Sequence, residues 1–311
     1  MKILKTRASF LALFLVLVLS IGNALAQSVA ITMDDGPNVE ETPLLSPQQR
    51  NQAILNALAK HQVKAALFVT ATYGANQPAG YALTKAWGDA GHAIGNHTMT
   101  HPDLHNAKVS LAQYQQEILD CDQIIRTLPG YQKWYRYTYL REGNTPEKRD
   151  GMREFLKLQA YRNAYVSLDT SDWRLNEKLL EVLKKNPQAD ISLIKQAYLA
   201  HIRQRALAYR DLSLQLQGRD IAQVLLIHHN LINALWLDDV IAQFKDMGWK
   251  ITTPAAAFAD PVYQLTPERA APGQSLLLSM ARTLGLGKFS GWERLVDDGD
   301  FEMATLKQRG L

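Results

Sequence analysis

The sequence predicts one large α/β domain built on a mostly parallel sheet, either open or closed into a barrel. Short apolar segments alternate with segments of helical periodicity along most of the 311 residues, a pattern typical of βαβ units. A hydrophobic content of 47% and a charged content of 21% are sufficient for a sizeable core. Polar clusters repeatedly follow the apolar segments. In parallel α/β folds, ligands bind outside the carboxyl ends of the strands, so we expect these clusters to share one rim.

Strands and helices are predicted from the period of the hydrophobic pattern. Strands are predicted at residues 28–33, 65–70, 93–95, 134–137, 164–168, 224–228 and 249–252. Helices are predicted at 51–61, 82–90, 111–128, 146–158, 237–247 and 275–286, with a long charged helical region at 177–216. Four prolines between residues 254 and 272 predict a segment that runs along the surface.

The N-terminus has the pattern of a signal peptide. Basic residues (Lys2, Lys5 and Arg7) precede an apolar run over 10–21, and a small-x-small site ends at Ala26. A retained anchor is the alternative, but the run is shorter than the roughly 20 residues that a span needs. We therefore expect an exported protein, periplasmic or secreted after cleavage near Ala26, with no membrane span in the mature chain.

Charge and cysteine content exclude some classes of function. The formal charge is +4, and three of the basic residues lie in the predicted signal peptide, so the rest of the chain is close to neutral. A near-neutral body gives no electrostatic reason to expect a nucleic-acid partner. Cys121 is the only cysteine, which rules out an intramolecular disulfide, and its place in a predicted helix favours a small buried residue over a nucleophile.

Two polar clusters have the residue types of a metal site. Asp34 and Asp35 follow the first predicted strand, and two adjacent carboxylates raise each other's pKa unless a cation or an arginine relieves the repulsion. Alone they could be an Asp-Gly turn with solvated acids. His97 and His101 have the i, i+4 spacing at which two imidazoles can reach one ion, although this spacing alone favours surface histidines. One aspartate with two histidines is a known three-ligand set that leaves a position open for water.

These segments also resemble a known family. Residues 32–37 and 97–102 resemble the first two motifs of the polysaccharide deacetylase family, also called the NodB-homology domain or carbohydrate esterase family four. The motifs stand in the family's order, about sixty residues apart, and the resemblance continues to about residue 253. It implies a distorted (β/α) barrel of the NodB-homology type. The implied organisation is a signal peptide at 1–26, a catalytic domain at 27–253 with a helical insert at about 174–220, and a C-terminal extension at 254–311.

The resemblance assigns roles to the first two motifs. Asp34 would be the general base. Asp35, His97 and His101 would hold a divalent metal, with zinc as the first expectation and cobalt or nickel as alternatives. Thr98 would support the loop by hydrogen bonding rather than bind the ion.

The third motif corresponds to residues 136–139. By the resemblance, Arg136 would pair with the base carboxylate and hold it ionised and oriented, and the backbone N–H of Tyr139 would stabilise the developing oxyanion. Arg141 is a rival for the role of Arg136. Family members usually have proline where this chain has Thr138. They also have glycine soon after the aromatic residue, whereas in this chain Leu140, Arg141 and Glu142 come before Gly143.

The fourth and fifth motifs correspond to residues 169–173 and 225–228. By the resemblance, Asp172 would tune the catalytic histidine, Trp173 would form a wall of the acetyl pocket, and His228 would be the general acid. Without the family, the fourth motif is more typical of a turn with a capping aspartate and a core tryptophan than of a functional site. His229 competes with His228 for the role of the acid. Otherwise it is expected, with Leu226, to line the substrate site.

The resemblance therefore implies a hydrolase that removes acetyl groups from a polysaccharide or oligosaccharide, with no protein partner predicted. The glycan would be of the N-acetylglucosamine type, such as peptidoglycan or a chitin-like polymer, or an O-acetylated xylan. One alternative is a non-catalytic periplasmic glycan-binding protein. Another is an amidase or deformylase that acts on a small or lipid-linked amide.

Overall fold

The computed structural model describes residues 27–268, 273–295 and 299–311, and a parallel sheet lies at its centre. The predicted signal peptide lies outside the described residues. The strands of this part of the chain are β1 (Ser28–Gly36), β2 (Ala66–Val69), β3 (Ala93–Asn96), β4 (Tyr131–Tyr135), β5 (Arg162–Asn163), β6 (Leu168–Asp169), β7 (Ala222–His228) and β8 (Lys250–Ile251).

The order of the strands explains why the sheet curls. It runs β5-β4-β3-β2-β1-β7-β6, with β8 also paired to β1, and each pairing is parallel. The consecutive strands β5 and β6 therefore lie at opposite edges, and residues 164–167 cross from one edge to the other. The Ala164 N–H donates to the carbonyl of Tyr135 (2.7 Å), and the Ser167 N–H donates to that of Val224 (3.2 Å). The predicted distorted (β/α) barrel is confirmed, as a half-barrel surrounded by helices.

One predicted strand is wrong in its centre. The sequence predicts a strand over 164–168, whereas the structure has two-residue strands at each side of this segment. The segment bridges a gap between two edges, so it bonds to one edge at its start and to the other at its end. Buried apolar residues such as Val166 explain the misleading pattern.

Ten helices surround the sheet in the described residues. They are α1 (Pro47–Lys60), α2 (Pro78–Asp89), α3 (Leu111–Ile125), α4 (Pro146–Leu158), α5 (Asp172–Lys185), α6 (Ser192–Gln217), α7 (Leu231–Asp246), α8 (Pro254–Phe258), α9 (Leu276–Leu284) and α10 (Asp300–Gln308). None of the described helices has the length and apolar composition that a bilayer crossing requires.

Local sequence signals explain several helix ends. Ser46 and Ser110 begin α1 and α3 with capping boxes, in which each side chain accepts a hydrogen bond from the third helical N–H. The long helical region predicted at 177–216 is two helices, and the break contains Pro187, which cannot continue a helix. Helix α7 begins earlier than predicted because the Asn230 side chain caps it, accepting from the Asn233 N–H at 3.2 Å.

The C-terminal region packs into the barrel core instead of running along the surface as predicted. Phe258 and Tyr263 are buried, and the Tyr263 hydroxyl lies 2.7 Å from the carbonyl oxygen of Ala222. Helix α9 contributes Leu277 and Ala281 to the same hydrophobic cluster as β1. Pro254 and Pro261 therefore begin short capped helices, and the aromatic residues Phe258 and Tyr263 supply apolar area to the core.

The central strand β1 is buried on both faces, as expected for a parallel sheet covered by helices. We expect Ile31→Ala to lower the free energy of unfolding by about 2–5 kcal/mol, because it leaves a cavity that its neighbours only partly fill. Denaturant titration measures this change. Leu158→Ala is the control, since this leucine is 72% exposed and the change should stay within about 0.5 kcal/mol. Equal effects of the two substitutions would contradict the burial of β1.

Candidate active site

The predicted site residues converge at the carboxyl ends of the strands. Asp34 and Asp35 end β1, His97 follows β3 and His228 ends β7, where it pairs with Asp34 in the strand register. Tyr139 follows β4. Together they border a cleft of about 600 Å³. The predicted residues that line it are Asp34, Asp35, His97, His101, Tyr139, Trp173, Leu226, His228 and His229. The other two, Arg136 and Asp172, are fully buried and contact lining residues, as described below.

Asp35, His97 and His101 have the spacing of a metal-binding triad. Their ligand atoms all lie within 4.8 Å of one another. The Oδ1 atom of Asp35 lies 3.4 Å from Nε2 of His101 and 3.7 Å from Nε2 of His97. Ligands placed about 2.1 Å from a tetrahedral zinc ion are separated by about 3.4 Å, so these three side chains fit such an ion.

The environment of His97 favours the neutral imidazole that a metal requires. Its Nδ1–H donates to the carbonyl of Arg136 at 2.8 Å, which leaves Nε2 with a free electron pair facing the carboxylates. Burial, together with the charge of His101, lowers the pKa of His97 to about 3. The ring therefore stays unprotonated at neutral pH.

Several of these residues adopt unusual backbone conformations. Asp35 (φ 63°), Thr98 (φ 76°), His101 (φ 60°) and Tyr139 (φ 54°) are all in the left-handed region, which costs free energy for residues other than glycine. The Thr98 hydroxyl supports the histidine turn by accepting a hydrogen bond from the His101 N–H at 3.0 Å. Strain of this kind clusters at functional sites, where the surrounding structure holds side chains in required positions.

Arg136 and Asp34 form a buried ion pair beside the triad. The guanidinium donates to Oδ1 of Asp34 and to the Thr32 hydroxyl, both at 2.7 Å, and it lies over the Phe68 ring at 3.9 Å. The other carboxylate oxygen of Asp34 is 3.7 Å from Nε2 of His97. Burial raises the pKa of Asp34 above its usual value, and the charge and hydrogen bond of Arg136 act in the opposite direction. Asp34 is thus a buried carboxylate at the edge of the cleft, held in place by a charged partner.

Asp172 and His228 form a second pair across the cleft. Oδ1 of Asp172 lies 2.6 Å from Nδ1 of His228, and Oδ2 accepts from the His228 N–H at 3.0 Å. The amides of Asn230 and Asn233 also donate to Oδ2. Burial alone would lower the pKa of His228, but the charge and hydrogen bond of Asp172 outweigh it and raise this pKa to about 10. The imidazole is therefore held in its protonated form, with Nε2 as the free donor.

The two rival residues have other partners. Nε2 of His229 lies 3.0 Å from Oδ1 of Asn51, and Nδ1 accepts from the Asn38 N–H at 3.3 Å, so both ring nitrogens are used inside the fold. Arg141 pairs with Asp103 rather than with Asp34. The geometry therefore favours His228 over His229 as an acid and Arg136 over Arg141 as the partner of the base.

Sequence reasoning missed three contributors to this site. Tyr73 lines the cleft, and its ring stacks on His101 with centroids 5.8 Å apart. Thr32 links Arg136 to the sheet, because its hydroxyl also donates to the carbonyl of Leu225 at 2.7 Å. Asn233 lies in the first turn of α7. The position of Tyr73 just after the strand β2 was a usable signal, whereas the contacts of Thr32 and Asn233 depend on tertiary packing.

Thr138 makes hydrogen bonds that the usual proline of the family could not make. Its N–H donates to the Tyr114 hydroxyl (3.3 Å), and its own hydroxyl accepts from Tyr114 (2.8 Å) and donates to the carbonyl of Pro102 (2.5 Å). Tyr135 donates to the same Tyr114 oxygen at 2.8 Å. This buried network joins the histidine loop to the Tyr139 turn, so the turn keeps its conformation without a proline.

Comparisons with known proteins agree with this geometry. The polysaccharide deacetylase family model matches residues 22–154, which include the first three motifs. A peptidoglycan-N-acetylglucosamine deacetylase of Bacillus cereus is 34% identical over 147 residues, which are 47% of this chain and 46% of that protein. The solved structure of the Bc1960 peptidoglycan N-acetylglucosamine deacetylase has a TM-score of 0.51 and 26% identity, and the match covers 79% of this chain and 92% of that one.

The chain contains a domain of the polysaccharide deacetylase family. Other relatives in the family include a chitooligosaccharide deacetylase of Bradyrhizobium, 40% identical over 101 residues, 32% of this chain and 40% of that protein. The peptidoglycan-N-acetylmuramic acid deacetylase PdaA of Bacillus subtilis is 27% identical over 229 residues, 74% of this chain and 70% of PdaA. The chain spans less than half the length of the Bacillus cereus and Bradyrhizobium relatives that it matches.

The spacing of Asp35, His97 and His101 leads to a testable prediction about zinc binding. We expect His101→Ala to weaken zinc binding by more than about 100-fold, because it removes one of three ligands, whereas Asp34→Asn should change it by less than about tenfold. Competition titration against a chelating dye measures both affinities. His61→Ala is the control, since His61 pairs with Asp238 on the surface between α1 and α7. A zinc affinity of His101→Ala equal to that of the wild type would refute the assignment of His101 as a ligand.

Proposed function

We propose that the chain is a metal-dependent hydrolase that removes N-acetyl groups from a glycan of the peptidoglycan or chitooligosaccharide type. The observation that carries this proposal is that one proton acceptor and one proton donor lie on the same cleft, beside the three residues that could hold a metal. Asp34 is buried beside the triad with a charged partner, and His228 is held protonated by Asp172 on the same cleft. Groups whose environments push their pKa values apart are suited to act as base and acid in one reaction.

Asp35, His97 and His101 fit a divalent ion, zinc first and cobalt or nickel next, which would act as a Lewis acid on the acetyl carbonyl and make water more acidic. The protein side chains supply the proton transfers. Arg136 holds Asp34 in place, and Asp34 accepts a proton from the attacking water. His228 then donates a proton from Nε2 to the leaving nitrogen, while Asp172 keeps the ring oriented through Nδ1. Because water is the nucleophile, no covalent enzyme intermediate is required.

The walls of the cleft suit a sugar chain with an acetyl group. Tyr139 and Trp173 present partly exposed aromatic rings to the cleft, at 50% and 37% exposure, and Leu226 forms an apolar part of the lining. Among the residues that the structure describes, the N–H of Tyr139 has no hydrogen-bond acceptor, which suits a donor to an oxyanion. Relatives named as deacetylases of N-acetylglucosamine, N-acetylmuramic acid and chitooligosaccharide substrates support an N-acetyl group over an O-acetyl group.

A glycan of the cell envelope would be met outside the cytoplasm. We therefore propose that the chain is exported to the periplasm or beyond, as the basic and apolar pattern of residues 1–26 suggests.

Acetate release from a substrate panel tests the function. We expect the zinc-loaded protein to release acetate from N-acetylated chito-oligosaccharides or peptidoglycan, but not from acetylxylan. Dialysis against a chelator should abolish the release, and added zinc should restore it. No release from any glycan by protein with bound zinc would refute the proposal and favour a non-catalytic glycan-binding protein. Release only from small N-acyl or N-formyl amides would favour an amidase.

Loss of the base gives a second test. We expect Asp34→Asn to lower kcat by about 10²–10⁴-fold, since an amide cannot accept the proton, while zinc binding persists. Steady-state kinetics with a metal assay on the same sample measures both quantities. Near-normal turnover of Asp34→Asn would show that another group is the base. Exchanging His228 and His229 in turn for alanine locates the acid.

The Asp172–His228 pair predicts a change in pH dependence. An acid works only while it is protonated, so activity should fall as the pH rises through the pKa of His228. Because the Asp172 carboxylate raises that pKa to about 10, Asp172→Asn should move the basic limb of the kcat/KM profile to lower pH by about 1–3 units. An unshifted basic limb would show that this limb belongs to another group.

A further inference from the structure

The long helix α6 and the C-terminal helix α10 meet behind the segment that contains Asp172 and Trp173. In the described part of the chain, neither helix lines the cleft. Helix α6 contacts the loop that joins β6 to α5, and helix α10 contacts α5 itself. This loop ends in Ser171, whose backbone is left-handed (φ 46°), so its conformation depends on contacts around it.

Helix α6 holds the loop through His201. This side chain is buried, and its Nε2 lies 2.6 Å from the carbonyl oxygen of Thr170. Burial and the charge of Arg205 lower the pKa of His201 to about 4, so the neutral ring donates its Nε2–H to this carbonyl. The Thr170 hydroxyl donates in turn to the carbonyl of Leu226 at 2.8 Å. The loop is therefore fastened between α6 and the strand β7 that carries His228.

Helix α10 is attached to α6 by a buried ion pair. Arg205 of α6 donates to the carboxylate of Glu302 of α10, and both side chains are almost wholly buried. The same carboxylate oxygen is 3.6 Å from Nε2 of His201. A buried charge needs its partner, so this pair specifies where α10 packs along α6.

The packing of α10 brings Gly299 against the Trp173 indole. Gly299 precedes α10 with φ 76°, and a Cβ atom built on it would lie 2.9 Å from Cη2 of Trp173 and 3.4 Å from the Arg174 side chain. Gly299 is absent from the lining of the cleft, whereas Trp173 borders it. Gly299 is buried and lies outside this lining, so it packs behind the indole, and a Cβ at this position would require the indole to shift.

We propose that α6 and α10 form a supporting wall that sets the position of Trp173, with His201 and Gly299 as positioning residues that determine which acyl groups the cleft accepts. This inference rests on the proposed function, in which Trp173 bounds the acyl pocket. By this proposal, the helical region at 172–217 and the helix α10 contribute to the selection of the acyl group.

Gly299→Ala tests the wall directly. The added methyl group should push the indole toward the cleft and narrow the acyl pocket. We expect kcat/KM for an N-propionyl chito-oligosaccharide to fall about tenfold more than kcat/KM for the N-acetyl substrate, because a pocket discriminates one methylene by about this factor. Zinc affinity should not change, since Gly299 contacts none of the three ligands.

Gly248→Ala is the matched control. Gly248 also has a positive φ (75°), but a Cβ there would meet nothing within 4 Å, so this variant has the backbone strain without a contact to Trp173. We expect it to keep the wild-type ratio of propionyl to acetyl turnover. The same ratio in both variants would overturn the inference. A wild-type protein that releases no acyl group from any glycan would instead refute the proposed function, so the two failures are distinguishable.

Substitutions of His201 give an independent test that avoids the strained glycine. His201→Leu removes the donor to Thr170, whereas the amide of His201→Gln can still donate. We expect His201→Leu to raise KM for the N-acetyl substrate about tenfold, with unchanged zinc affinity, and His201→Gln to restore a value near that of the wild type. Equal KM values for the three proteins would overturn the inference.

Discussion

The site depends on one buried cation, the guanidinium of Arg136. The guanidinium donates hydrogen bonds to Asp34 and Thr32 of β1 and to the carbonyl of Ala164. Because the backbone of Arg136 directly follows β4, this residue connects the central strand to the edge where the sheet curls. Removing one partner of a buried ion pair typically costs about 3–5 kcal/mol, because the other charge is left without compensation. This requirement ties the position of Asp34, the proposed general base, to the curvature of the half-barrel.

The cleft uses burial in two opposite ways. His97 is buried without a carboxylate as a hydrogen-bond partner, so its pKa falls to about 3 and the neutral ring suits a metal. His228 is paired with Asp172, so its pKa rises to about 10 and the charged ring suits an acid. The two imidazoles therefore differ in charge within one cleft, and the hydrogen-bond partner of Nδ1 decides the difference: a backbone carbonyl for His97 and a carboxylate for His228.

Support for the cleft extends well beyond the five motifs. The Tyr114–Thr138 network joins the loops of the second and third motifs from one side. Helices α6 and α10 contact the loop of the fourth motif from the other side. Residues near the end of the chain, such as Gly273 and Gly299, contact Tyr139 and Trp173, and the buried packing of α9 makes this region part of the barrel core. A site with strained residues needs such support, because the surrounding contacts must offset the cost of each left-handed residue.

The sequence by itself determined the strand-helix alternation, the polar clusters at strand ends and the i, i+4 spacing of His97 and His101, while the resemblance to the family implied Asp35 as the third residue that could share an ion. These features are local, since they depend on hydrophobic period and on residue chemistry within short segments. Only the tertiary structure decided that residues 164–167 bridge two sheet edges and that Phe258 and Tyr263 are buried. It also decided which of the two cleft-lining histidines, His228 and His229, pairs with a carboxylate, because that choice depends on the partners Asp172 and Asn51, which are distant in sequence. Contacts between segments that are distant in sequence leave no periodic pattern in the chain. They become visible only in the folded barrel, where these segments lie side by side.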